Sequence, residues 1–117
     1  METVAVHELI QRLRQFAAVR DWDRYHSPKN LSMALAGEAG ELLEHFQWLT
    51  EDESQALSAE QRQAVALEMA DIFLYLLRLS DKLEVDLVAT AHQKIELNER
   101  RYPAEQVRGS AKKYTEY

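Results

Sequence analysis

The chain has 117 residues, enough for one domain, with 20 acidic against 14 basic side chains and a net charge of −6. That balance argues against nucleic-acid backbone binding as the main task. There is no cysteine, which excludes disulfides and thiolate metal sites and makes the cytoplasm the expected setting. No apolar run is long enough to span a membrane and no signal-peptide pattern opens the chain, so no membrane partner is expected.

Three Gly and two Pro in the whole chain predict few turns and long helices. Val6, Leu9, Ile10, Leu13, Phe16 and Ala17 recur at helical spacing, which predicts a first helix at about 3–20. The segment 21–27, Asp-Trp-Asp-Arg-Tyr-His-Ser, breaks that pattern. Ser27-Pro28 then reads as an N-cap followed by proline at the first helical position. The second helix is predicted to run to about Trp48, with the inner line Leu31, Leu35, Glu38, Leu42, His45 and Leu49. Glu38 takes a slot where an apolar residue is expected.

The stretch 50–54 reads as a polar loop. Ser58-Ala-Glu-Gln61 resembles a capping box that opens a third helix. Its inner line is Val65, Met69, Ile72, Leu76, Leu79 and Leu83, with Ala64, Glu68, Asp71 and Tyr75 alongside. Residues 72–77 are apolar all round, and such a helix must be buried on every side. A small bundle can hardly do that alone, so a second chain is expected against it. Asp86 is the expected N-cap of a fourth helix at 87–101, which Pro103 ends. Its stripe Val88, Ala91, Ile95, Asn98 and Tyr102 is interrupted by a polar residue, Asn98. Residues 103–117 read as an irregular basic tail.

Two acidic pairs carry the chemistry. Glu38 and Glu41, and Glu68 and Asp71, each have i,i+3 spacing, so both carboxylates of a pair leave one helix face. A single such pair is more often an ordinary wet face. Glu38 on an inner line, where an unpaired charge costs several kcal/mol, shifts that balance. So do Gly37 and Gly40, since each mid-helix glycine costs roughly 1 kcal/mol against alanine. Four carboxylates converging in an apolar bundle call for a cation. Neither pair has the Glu-x-x-His form of a di-iron site. Oxygen-only ligands favour Mg²⁺, or Mn²⁺, and Mg²⁺ is commonly held together with phosphates.

Lys94, Asn98 and Arg101 fall at i, i+4 and i+7. A solvated face explains the two cations, but Asn98 on the apolar stripe points toward a site. Arg108-Gly-Ser-Ala-Lys-Lys113 adds cationic groups suited to phosphate oxygens. Trp22, His26, Asn30, Trp48 and Tyr75 could stack on a base or bond its edge, or serve as core and rim packing.

Together these residues resemble the MazG-like, all-α nucleotide pyrophosphohydrolases, most closely their dCTP pyrophosphatase branch. The likeness rests on 16–22 (Phe-Ala-Ala-Val-Arg-Asp-Trp), 26–31 (His-Ser-Pro-Lys-Asn-Leu), 36–41 (Ala-Gly-Glu-Ala-Gly-Glu), Phe46-Gln-Trp48, Glu68-Met-Ala-Asp71, 98–103 (Asn-Glu-Arg-Arg-Tyr-Pro) and 108–115 (Arg-Gly-Ser-Ala-Lys-Lys-Tyr-Thr). It implies an all-α four-helix bundle in a single domain, 1–117, completed by assembly into a homodimer or homotetramer. It implies Mg²⁺ held by Glu38, Glu41, Glu68 and Asp71. Lys94, Asn98, Arg108, Ser110 and Lys112 would contact phosphates, and Trp22, His26, Trp48 and Tyr75 would line a nucleoside pocket. The implied reaction converts a nucleoside triphosphate, such as dCTP or a modified dCTP, to monophosphate and pyrophosphate, with Glu38 or Glu41 holding the water. Many relatives carry two adjacent Glu at the first motif. Residue 37 here is Gly, which makes Glu44 a further candidate acid. The alternative from another class is a non-catalytic helical dimerisation or nucleotide-sensing module.

Overall fold

The computed structural model describes residues 4–109, and in them there is no strand. Helix α1 spans Val4–Val19, a 3₁₀ turn spans Asp23–Tyr25, and α2 spans Pro28–Glu44. A one-turn helix α3 (Glu51–Ser54) leads to the long α4 (Ala59–Lys82), followed by α5 (Leu87–Arg101) and the short α6 (Ala104–Val107). The fold is the all-α helical bundle expected. Ser110 and Lys112 lie outside the described residues.

Side-chain caps set most of the helix starts. Ser27 Oγ accepts from the Asn30 amide at 3.1 Å, with Pro28 at the first helical position. Ser58 and Gln61 form a reciprocal capping box, and Asp86 accepts from the Ala89 amide at 3.0 Å. The predicted loop at 50–54 is instead a helical turn, because Thr50-x-x-Glu53 is itself a capping box. The second helix stops at Glu44 rather than Trp48. Its last carbonyls are taken by the tighter bonds His45 N to Leu42 O and Phe46 N to Leu43 O. The predicted irregular tail contains α6, which starts just after Pro103.

Two helices end in the same way. After α1, Trp22 N–H bonds Ala17 O at 2.9 Å and Asp21 N–H bonds Ala18 O at 3.2 Å, with Asp21 at φ 55°. After α4, Val85 N–H bonds Ser80 O at 2.8 Å and Glu84 N–H bonds Asp81 O at 3.1 Å, with Glu84 at φ 56°. Both are Schellman motifs with an acidic residue where glycine is usual. At the first, the hydrophobic contact that accompanies such ends is Phe16 with Trp22, edge to face at 5.7 Å.

The core is small. Ile10 and Ala17 of α1, Leu31 of α2, and Val65 and Leu77 of α4 are its buried apolar residues. Helix α2 packs chiefly on α4, and α1 packs on α4 beside it. Met69 and Leu83, expected inside, are more than half exposed. Between them, residues 72–77 are apolar all round and give the period no face to mark, so sequence could not choose among the lines of this helix. Phe73 is 42% exposed, α5 has no buried residue, and Ile95 in its stripe is 55% exposed. These apolar side chains are not covered by the described residues of the chain.

Candidate functional site

The pairing of α2 with α4 brings Glu38, Glu41 and Glu68 together, each offering a carboxylate oxygen within 4.8 Å of the others. Glu38 Oε2 and Glu68 Oε2 are buried and have no hydrogen-bond partner among the described residues. Two facing carboxylates with no donor between them repel unless a proton or cation lies between. Accordingly the Glu68 carboxyl pushes Glu38 above the ordinary carboxylate range, and Glu38 in turn raises Glu41. Orphaned buried oxygens in an all-carboxylate set are what a hard divalent cation satisfies. The donor set therefore fits a metal. Asp71, one turn beyond Glu68 on α4, is exposed and is not part of this three-residue cluster.

Asp71 instead belongs to the wall of a cavity of about 470 Å³ between α1, the 3₁₀ turn, α2 and α4. Leu13, Phe16, Trp22, Leu31, Leu74 and Tyr75 give it apolar, largely flat walls. Arg12, His26, Asp71 and Arg78 are its charged or titratable lining residues, and Trp22 and Tyr75 add an indole N–H and a phenol. A mostly apolar cleft with a few convergent polar groups is the usual form of a small-molecule site. Asp71 lies one helical turn, about 4.5 Å of rise, from Glu68, so the cavity adjoins the acidic cluster.

Of the other expected site residues, Trp22, His26 and Tyr75 line this cavity. Asn30 does not. Its side-chain amide donates to Tyr25 O at 3.0 Å and so braces the turn. Trp48 is 87% exposed and lies outside the cavity. Lys94 and Asn98 are exposed on α5, as are Arg108 and Glu44 on their own segments. A methyl group placed at Gly37 or Gly40 would meet nothing within 4 Å beyond its own helix backbone, so none of the described residues approaches that face of α2 closely.

One residue that sequence reasoning missed is Arg78, 5% exposed at the C-terminal end of α4. It bonds Asp23 at 2.5 Å, Asp81 at 3.4 Å and, through Nε, His26 Nδ1 at 3.2 Å. Asp23 also meets Lys82 at 2.6 Å, and Arg14 grips Asp81 through two nitrogens at 2.8 and 2.5 Å. Lys82 and then Arg78 hold Asp23 below the ordinary carboxylate range, and Arg14 does the same for Asp81. Burial, with the charges of Arg78 and Lys82, holds His26 below its ordinary value. The signal was present in the sequence: a lone charge inside an apolar helical run, the same sign that marked Glu38.

A family model described as the MazG-like family matches residues 34–117. Relatives named dCTP pyrophosphatase 1 are 46% identical (Homo sapiens) and 47% identical (Bos taurus) over 112 residues. That stretch is 93% of this chain, and the chain spans 66% of those relatives' length. A solved structure of a pyrophosphatase from Archaeoglobus fulgidus superposes with a TM-score of 0.81 at 38% identity, covering 88% of this chain and 96% of that one.

Proposed function

The chain belongs to the MazG-like family, and from that premise we propose that it hydrolyses a deoxynucleoside triphosphate, dCTP or a 5-modified dCTP, to the monophosphate and pyrophosphate. The observation that carries this reading is the acidic cluster of Glu38, Glu41 and Glu68 adjoining a flat-walled cavity. The relatives named dCTP pyrophosphatase 1 point to the substrate.

The base would enter between Trp22 and Tyr75, and the triphosphate would extend past Asp71 toward the carboxylates. In the reaction a water oxygen joins the α-phosphorus and the bond to the β-phosphate oxygen breaks, releasing pyrophosphate. Glu38, Glu41 and Glu68, with Asp71 at their edge, would hold Mg²⁺. Bound Mg²⁺ supplies neutralisation of the charge that gathers on the leaving pyrophosphate. Glu41 and Glu38, both with raised pKa values, are suited to orient the attacking water and take its proton.

Lys94, Asn98 and Arg108 are exposed, and neither they nor Trp48 line the cavity. They reach a site if a second copy of the chain supplies them. The exposed apolar residues Met69, Phe73 and Ile95 support the same homodimer or dimer of dimers. The cytoplasm, which holds free nucleoside triphosphates, is the proposed setting. A panel of the four common dNTPs and 5-methyl-dCTP, read by pyrophosphate release with Mg²⁺ and again with EDTA, tests the reading. Release from dCTP or 5-methyl-dCTP above the others, abolished by EDTA, is the expected result.

A further inference from the structure

Arg78 and His26 line the same cavity as Asp71. Seven residues of α4, about 10 Å of rise, separate Asp71 from Arg78. Arg78 Nε–H donates to His26 Nδ1 at 3.2 Å. A guanidinium has donors and no acceptors, so the bond requires a lone pair on Nδ1. The ring's proton is then on Nε2, which bonds no described residue. His26 is on the cavity wall, and Nε2–H is the remaining polar atom of its ring.

We propose that Arg78 is a positioning residue that fixes His26 as a one-way hydrogen-bond donor, through Nε2–H, to an acceptor atom (ring N3 or carbonyl O2) on the edge of the pyrimidine in this cavity. The proposal rests on the nucleotide reading above and adds how the base edge is read. An unfixed imidazole offers a donor in either tautomer and could turn to accept from an amino group. Held by Arg78, it cannot. The cavity therefore rewards an acceptor at this corner. A buried site polar group left unpaired is what discriminates against an analogue lacking its partner. His26 stays neutral in this arrangement, in line with the low pKa that burial and the nearby cations impose.

Arg78 can be removed without stranding its acids, because Asp81 keeps Arg14 and Asp23 keeps Lys82. Two measurements test the proposal. In the free protein, ¹⁵N–¹H correlation of the His26 ring should report protonated Nε2 and bare Nδ1, and Arg78→Met should turn this into a tautomer mixture. Wild type showing a mixture or the opposite tautomer overturns the proposal, whether or not any nucleotide is hydrolysed. For hydrolysis, dCTP is compared with 3-deaza-dCTP and with the triphosphate of a 2-aminopyridine C-nucleoside, which keep cytosine's amino group but lack N3 and O2 respectively. Wild type should disfavour one of them by about tenfold in kcat/KM, the scale of one neutral hydrogen bond. His26→Phe should erase that preference by raising KM for dCTP with kcat little changed. His26→Gln, whose amide N–H sits near the Nε2 position, should restore it. Equal discrimination by wild type and His26→Phe overturns the proposal. Failure of wild type to hydrolyse any dNTP is a failure of the nucleotide reading instead, and leaves the tautomer result to decide Arg78's effect on His26.

Discussion

Glu38 on α2 and Glu68 on α4 bring their carboxylates together, each with a buried oxygen that no donor among the described residues meets. The pair is a standing repulsion within the native fold. Helix packing holds it in place, and a proton or a cation relieves it.

Stability without metal therefore has a defined pH dependence. Glu38 and Glu41 have folded pKa values raised above the unfolded carboxylate value. Their protonation favours the native state, so that contribution is full below the unfolded pKa of about 4.5 and is lost as pH rises through the raised values. Melting in EDTA across this window should show wild type losing stability relative to Glu38→Gln as pH rises. Mg²⁺ with a non-hydrolysable dCTP analogue should cancel the difference. At a hundredfold excess over Kd such a ligand adds about 2.7 kcal/mol. An unchanged midpoint at saturating ligand would remove the metal site.

The opposite sign holds at the far end of α4. Asp81 and Asp23 are held below the ordinary carboxylate value by their cations, so their contribution is present above about 3.8 and is lost as pH falls through the depressed values. His26 acts in the same direction at higher pH. The unfolded chain takes its proton first below about 6.5, so stability falls as pH drops from there to the depressed folded value. Asp81→Asn should cost about 1 kcal/mol at pH 7, as a paired, two-point arginine contact would. The acid limb of its denaturation curve should be shallower than that of wild type.

Glu84 holds a left-handed conformation just past the end of α4 and is neither a lining residue of the cavity nor part of the carboxylate cluster. A non-glycine residue there pays roughly 1–2 kcal/mol, partly offset by the greater freedom glycine gives the unfolded chain. Glu84→Gly should stabilise the protein by about 0.5–1 kcal/mol and raise Tm by about 2–5 °C, with activity unaltered. A lower Tm would mean that the Glu84 side chain makes up for its backbone strain.

Local chemistry made much of this fold legible in advance. Ser27-Pro28, Ser58-x-x-Gln61 and Asp86 each announce a helix start through a side-chain acceptor within three residues, and each start is where the caps place it. Glu38 was legible for a related reason, since a charge on an apolar line has to be explained. What was not legible depends on the third dimension. Arg78 and Asp23 are 55 residues apart, and nothing local in either announces the other. Asp71 carries the same spacing argument as Glu41, yet it faces the cavity, because the crossing of α2 and α4 decides which carboxylates meet. Residues 72–77 of α4 are apolar on all sides, so their period could not separate the face toward α1 and α2 from the face carrying Phe73.

That second face bears on the residues left apart in a single chain. If Trp48 completes a site belonging to another copy, a mixture of two inactive variants recovers activity. Glu38→Gln and Trp48→Ala, unfolded and refolded together, should give about a quarter of wild-type activity for a randomly mixed two-fold dimer, since half the dimers then carry one intact site. No recovery on mixing would place Trp48 and Glu38 in the same chain's site or leave Trp48 outside any site.

The most direct test of the central claim is pyrophosphate release from dCTP by wild type and by Glu38→Gln, each with saturating Mg²⁺ and with helix content checked by circular dichroism. The metal-site reading predicts that wild type releases one pyrophosphate per dCMP. Glu38→Gln should keep its helices and lose two orders of magnitude or more in rate, about 3 kcal/mol of transition-state stabilisation. A Glu38→Gln protein that turns over dCTP at a near-normal rate would contradict it.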